Sequence, residues 1–184
     1  RLRRFRRLAR PLFFDPIERF GVQTAVDAER LIALGVAPDR VTVTGNLKFD
    51  SPEPPLLPEL ARRLERLAAG RPILLAGSTM AGEEEQVLTA FRRLAEGERT
   101  PGERALLVVA PRHPERFAAV AELLAAAHPD FARRSGTDRE RPAVFLLDSI
   151  GELAATYRLA SAAFIGGTLR PTGGHNPIEA ARFG

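Results

Sequence analysis

Two glycine pairs, a histidine, an asparagine and a glutamate fall together in Gly166-Gly-Thr-Leu-Arg-Pro-Thr-Gly-Gly-His-Asn-Pro-Ile-Glu179. Glycines allow a backbone to approach a ligand closely, and a helix start offers N–H groups and a positive dipole end to an anion. The apolar run Ser161-Ala-Ala-Phe-Ile165 precedes the loop, and Pro177-Ile-Glu-Ala-Ala-Arg182 follows it with helical character. The order is strand, close-approach loop, helix start. Glu179, one turn inside that helix, is suited to accept hydrogen bonds from sugar hydroxyls. The chemistry implied is recognition of a nucleotide or nucleotide-sugar; the competing reading is a plain strand-to-helix turn.

Three further segments carry polar or turn residues after apolar runs. Gly77-Ser-Thr-Met-Ala-Gly82 places the Ser78 and Thr79 hydroxyls before Glu83-Glu-Glu85. Those glutamates read as a solvated helix start that complements the dipole. Pro111-Arg-His-Pro-Glu-Arg116 offers Arg112 to a phosphate or carboxylate. Asp148-Ser-Ile-Gly-Glu-Leu153 sets a turn at Gly151, with Asp148 or Ser149 available as a helix cap.

The elements that must position these residues follow from periodicity. Apolar runs at 72–76, 105–110, 143–147 and 162–165 alternate with amphipathic stretches at 59–69, 82–95, 114–127 and 151–158. Strands apolar throughout, separated by such helices, predict a parallel sheet covered on both faces. In that architecture ligands bind beyond the carboxyl ends of the strands, where all four segments fall. The stretches around Thr100 and from Arg134 to Arg141 read as surface loops. Before Ser51-Pro-Glu-Pro-Pro-Leu-Leu-Pro58, whose prolines mark a linker, the chain reads as a strand at Phe20–Thr24, a helix at Asp27–Leu34 closed by Gly35, and a strand at Val41–Gly45. The expected organisation is the end of a first domain and a hinge over 1–50, a linker over 51–58, and a second domain over 59–184.

Composition narrows the classes. Of 27 basic residues only Lys48 is a lysine, and the pI near 10.7 follows from arginine. The arginines are scattered without interleaved aromatics, which argues against a nucleic-acid surface. Arg1 to Arg10 holds six arginines with Leu2, Phe5 and Leu8 on one helical stripe; it suits either an anionic membrane surface or an ordinary solvated helix face. Three histidines without paired spacing and no cysteine give no metal pattern. Neither a Gly-x-x-x-x-Gly-Lys-Ser/Thr loop nor a Gly-x-Gly-x-x-Gly after the first strand is present. The chain opens on Arg1 and ends on Gly184, just after the motif, and is expected to be a fragment.

Taken together, Thr44-Gly-Asn-Leu-Lys-Phe-Asp50, Gly77-Ser-Thr79 with Gly82-Glu-Glu-Glu85, Pro111-Arg-His-Pro-Glu-Arg-Phe117, Asp148-Ser-Ile-Gly-Glu-Leu153 and Gly173-Gly-His-Asn-Pro-Ile-Glu179 closely resemble the 3-deoxy-D-manno-octulosonic acid (Kdo) transferase family of lipopolysaccharide synthesis. The resemblance implies an α/β fold of the GT-B type with two Rossmann-like domains. It implies an inverting, metal-independent glycosyltransferase that needs no cofactor and moves Kdo from CMP-Kdo to a lipid A precursor at the cytoplasmic face of the bacterial inner membrane. By that resemblance Pro111, Arg112, Gly151, Glu152, Leu153, Asn176, Pro177, Ile178 and Glu179 bind CMP. Ser78, Thr79 and His175 are then candidates for the donor sugar or phosphate. Lys48 either meets the Kdo carboxylate or pairs with an acid. The general base, the acceptor surface and the membrane anchor are expected before Arg1. Met80, Arg170 and Ala180 depart from the usual pattern. Two alternatives remain at this stage: a GT-B enzyme using a UDP-sugar, and a non-catalytic anion-binding or membrane-docking module.

Overall fold

In a computed structural model of the chain, residues 10–46, 50, 52–97, 105–171 and 173–184 are described. The arginine-rich stretch over 1–9, Lys48 and the loop at Thr100–Gly102 lie outside them. The chain forms two compact units, Arg1–Pro52 and Glu53–Gly184.

In the first unit a π-helical turn at Arg10–Phe14 precedes β1 (Phe20–Val22), α1 (Ala25–Ala33) and β2 (Val41–Val43). The two strands pair in parallel, Phe20 opposite Val41. Thr24 caps α1, its hydroxyl oxygen accepting the Asp27 N–H at 3.2 Å. Arg40 donates through its guanidinium to the carbonyls of Phe14, Ile17 and Glu18 and thereby orders the turn before β1.

The second unit carries α2 (Pro58–Ala68), β3 (Ile73–Thr79), α3 (Glu83–Gly97), β4 (Leu106–Pro111), α4 (Phe117–Ala127), β5 (Ala132–Arg133), β6 (Val144–Leu146), α5 (Leu153–Thr156), β7 (Ala162–Ile165) and α6 (Ile178–Ala181). Pro58 occupies the first position of α2, where a missing N–H costs nothing. Leu60, Leu64 and Leu67 then make a buried stripe at helical spacing. The sheet order is β5-β6-β4-β3-β7, and every pairing is parallel.

Alternation along the strands divides the core into two layers. On one face Ile73, Leu75, Leu106, Val108 and Phe145 pack with α2 and Tyr157. On the other, Ala76, Leu107, Val109, Val144 and Leu146 pack with Leu88 and Phe91 of α3 and Val120 and Leu124 of α4. Successive strand side chains point to opposite faces, so a strand buried on both sides must be apolar throughout. That is why the apolar runs were legible.

The two-residue edge strand β5 was not anticipated. The loop after it lies at the surface, as expected, but is fastened from within. Buried Arg63 of α2 donates to the carbonyls of Arg133, Arg134 and Gly136 and to Asp138 at 2.6–2.9 Å.

Candidate functional site

From β3 the chain steps outward through β4 and β6, then returns to place β7 on β3's other side. The reversal between β3 and β7 makes their carboxyl ends a topological switch point, where such sheets open a crevice. Both Gly-rich segments lie there. Gly166 donates its N–H to the Gly77 carbonyl at 2.8 Å. The strands leave no room for side chains at this crossing. A Cβ on Gly166 would stand 2.0 Å from the Ser78 carbonyl oxygen, and one on Gly77 would stand 2.1 Å from the Tyr157 hydroxyl.

Ser78 is a bulge in β3: Gly77 pairs with Ala110 and Thr79 with Pro111, so Ser78 has no partner in β4. Its φ of 55° lies in the left-handed region, a conformation that costs a non-glycine residue on the order of 1 kcal/mol. Ser78 itself is half-buried. Thr79 is wholly buried, and its hydroxyl donates to Glu84 Oε1 at 2.8 Å. Its expected contact with a donor sugar is therefore corrected: the hydroxyl holds the loop.

The larger correction concerns the glutamates. Glu83 and Glu84 are completely buried, and of the three only Glu85 is solvated. Glu84 takes a two-point contact from Arg116, Nη1 to Oε1 at 2.7 Å and Nη2 to Oε2 at 2.9 Å. Glu83 accepts the N–H groups of Met80 at 2.9 Å, Gly167 at 2.8 Å and Leu169 at 3.0 Å. Burial would raise the Glu83 carboxyl, but these backbone donors and His175 outweigh it and hold it below the usual carboxylate range. A signal for this lay in the sequence. Val87, Leu88 and Phe91 repeat inward along α3, and their stripe runs back through positions 83 and 84.

At the end of β4, Pro111 is buried and Arg112 is exposed. The Arg112 N–H donates to the Thr79 carbonyl at 3.0 Å, while its guanidinium makes no hydrogen bond or ion pair among the described residues. His113 lies 3.8 Å from Glu115 at the surface.

After β6, neither Asp148 nor Ser149, the two residues available as a helix cap, caps α5; Asp148 is engaged elsewhere. It accepts from Arg133 at 2.6 Å and from the Ser135 N–H at 3.0 Å. Burial would raise its carboxyl, yet the Ser135 and Arg133 contacts keep it low. Glu152 is likewise engaged, by Arg134 at 3.1 Å and by the Ser149 hydroxyl. Gly151 holds φ at 84° in an exposed turn, and Leu153 packs against the core beneath Gly77. A cavity of about 220 Å³ opens between this turn and Pro55–Leu57.

The β7 loop gives fewer free donors than its glycines suggested. The N–H groups of Gly166, Gly167, Leu169, Gly174 and His175 are all engaged within the protein. α6 has four residues, and Asn176 Oδ1 accepts the Ile178 N–H at 3.1 Å, closing the turn before the helix. Glu179 is exposed on the first turn of α6, with Pro177 exposed before it and Ile178 half-buried. Glu179 acts on Tyr157, whose phenol is pushed up to about 12 by burial first and by Glu179 second. The His175 Nε2 atom is buried without a hydrogen-bond partner. Among the described residues no group of three or more His, Cys, Asp or Glu could hold a metal ion. No described helix is long and apolar enough to cross a membrane.

A parallel five-stranded sheet, with glycines at its switch point and an exposed arginine on the neighbouring strand end, defines an α/β domain of the GT-B type. A crystal structure of the C-terminal CMP-Kdo binding domain of WaaA from Acinetobacter baumannii is similar, with a TM-score of 0.58 and 34% identity, over 68% of this chain and 65% of that one. The family to which the chain is similar is that of the Kdo transferases. Residues 1–51 match the family model for 3-deoxy-D-manno-octulosonic-acid transferase (kdotransferase). The 3-deoxy-D-manno-octulosonic acid transferase of Haemophilus influenzae is 38% identical over 176 residues, 92% of this chain and 40% of its own length. That of Bordetella pertussis is 37% identical over 174 residues, 91% of this chain and 39% of its own. A bifunctional glycosyltransferase/methyltransferase of Fusobacterium nucleatum is 33% identical over 168 residues, 87% of this chain and 25% of its own. The chain thus spans about two fifths of the length of the Kdo transferases it matches, and the resemblance read from its five motifs is carried by both units.

Proposed function

We propose that the second unit binds the donor CMP-Kdo and that the protein transfers Kdo to a lipid A precursor. The observation that carries this reading is the topological switch point at the carboxyl ends of β3 and β7, with the exposed Arg112 guanidinium one strand away. In this reading Arg112 faces the donor phosphate, Glu179 accepts from the ribose hydroxyls, and the turn at Gly151 with the adjacent cavity takes the cytosine. The similarity to a CMP-Kdo binding domain supports the assignment. Because the N–H groups of the β7 loop are largely engaged, that loop contributes shape and rigidity more than charge.

The acceptor hydroxyl attacks the anomeric carbon while CMP departs, and inversion follows from a single displacement. Arg112 stabilises the charge that grows on the departing phosphate. No catalytic base is assigned within the chain. We place the transfer at the cytoplasmic face of the inner membrane.

Replacing Arg112 or Glu179 by alanine tests the reading through the donor KM and kcat. Unchanged constants in both variants would remove these residues from the site. A preference for uridine over cytidine nucleotides would favour the UDP-sugar alternative, and salt-sensitive liposome binding without nucleotide selectivity would favour a docking module.

A further inference from the structure

The Glu83 side chain bonds to the segments that follow both β3 and β7. Its Oε2 accepts from Met80, in the turn after β3, and from Gly167, in the loop after β7; its Oε1 accepts from Leu169. The Glu83 N–H in turn donates to the Met80 carbonyl at 2.9 Å. The bond from the Met80 N–H is the carboxylate half of a capping box, which needs only one carboxylate oxygen and no second loop. The additional bonds to Gly167 and Leu169 go beyond capping. They hold the β7 loop against the β3 turn, and the loop then runs on through His175, whose N–H donates to the Gly166 carbonyl at 3.0 Å, to Asn176 and α6.

We infer that Glu83 is a positioning residue for the donor: its buried carboxylate fixes the β7 loop, and through it Asn176 and Glu179, in the conformation that binds the nucleotide. This rests on the donor reading above. The chemistry requires a carboxylate. All three incoming groups are N–H donors, and a carboxylate is acceptor on both oxygens. A glutamine at 83 would turn an NH2 group toward at least one of those donors. Leu169, or Met80 and Gly167 together, would then lose an acceptor in a site closed to water. The loop would sample other conformations, and apparent affinity would fall by the fraction of time it spends in them. The residue touches no ligand in this account and acts only through the loop.

The test combines CMP titration with amide hydrogen exchange on the parent chain and on Glu83→Gln and Glu83→Asp. Aspartate keeps the charge, and its shorter stem reaches the adjacent Met80 turn more easily than the β7 loop. We expect both variants to retain protection at Val108 and Val109 in β4, which reports an intact sheet. Exchange at Gly167 and Leu169 should quicken, and CMP should bind about tenfold or more weakly. CMP affinity within about twofold of the parent despite faster exchange at Gly167 and Leu169 would overturn the inference, as would weaker binding with those amides still protected. A parent chain that shows no preference for CMP would remove the donor reading, and this inference with it. Binding lost in Glu179→Ala but kept in Glu83→Gln would remove the inference alone.

Discussion

Arg116 and Glu84 meet in a two-point contact, at 2.7 and 2.9 Å, around a carboxylate that is almost wholly shielded from water. Thr79 completes the shell by donating its hydroxyl to the same carboxylate, and Arg116 reaches the Thr79 carbonyl as well, at 3.3 Å. The pair fastens the start of α3 and the end of β3 to the segment that carries Arg112. The contact with Glu84 holds the Arg116 guanidinium even more firmly protonated than usual.

Removing the cation should therefore be costly. Arg116→Leu strands a buried carboxylate and should lower unfolding free energy by about 3–5 kcal/mol. Arg116→Lys keeps charge but not the planar fork, and should cost less. Urea unfolding of the two variants checks the order. Equal stability of Arg116→Leu and the parent would contradict it.

The close crossing of β3 and β7 makes a second prediction about size. Gly166→Ala drives a methyl against backbone, 2.0 Å from the Ser78 carbonyl oxygen and 2.7 Å from Thr79 Cα. It should cost about 3 kcal/mol or more, because backbone cannot swing aside. Gly77→Ala meets the Tyr157 side chain instead, hydroxyl first. Adding Tyr157→Phe should recover part of that loss, giving a favourable coupling energy in a double-mutant cycle. Strict additivity would show that Tyr157 is not what excludes a side chain at Gly77.

His128 gives stability a pH dependence of definite sign. Burial lowers its pKa from the ordinary 6.5, Asp130 opposes that, and Arg92 reinforces it. Its Nε2 has no hydrogen-bond partner, and the ring lies 6.2 Å from Phe91. The unfolded chain thus takes up the proton more readily than the folded one. Stability is complete above the unfolded value of 6.5 and declines as pH falls through it toward the lower folded value. The urea midpoint should drop between about pH 8 and about pH 5, and His128→Phe should flatten that slope. An unchanged slope would place the titration elsewhere.

What the sequence disclosed and what it concealed have separate physical origins. The strands of the second unit were readable because burial on both faces forces apolar runs such as Leu106–Ala110. All four candidate loops were readable because they follow those runs. Concealed were the partners. Glu83 and Glu84 read as dipole complements, since a charge triplet at a helix start is ordinarily solvated; only the inward stripe of Val87, Leu88 and Phe91 points the other way. The partners of Asp148 and Glu152 were hidden because Arg133 and Arg134, which engage them, lie in and just after a two-residue edge strand with no periodic signature. Glycine spacing marked the β7 loop but not where its N–H groups would go.

Metal removal should leave the donor site intact. The proposal assigns the phosphate charge to Arg112, so CMP affinity and Kdo transfer should be unchanged by EDTA. Loss of either on chelation, with recovery on adding Mg²⁺, would require a cation that this assignment does not include.

A cytidine nucleotide site in the second unit would show itself in binding. Isothermal titration of CMP, with UMP and AMP for comparison, tests it most directly, with Glu179→Ala as the matched variant. Selective CMP binding that Glu179→Ala weakens strongly is expected. Equal binding of all three nucleotides, or none, would contradict it.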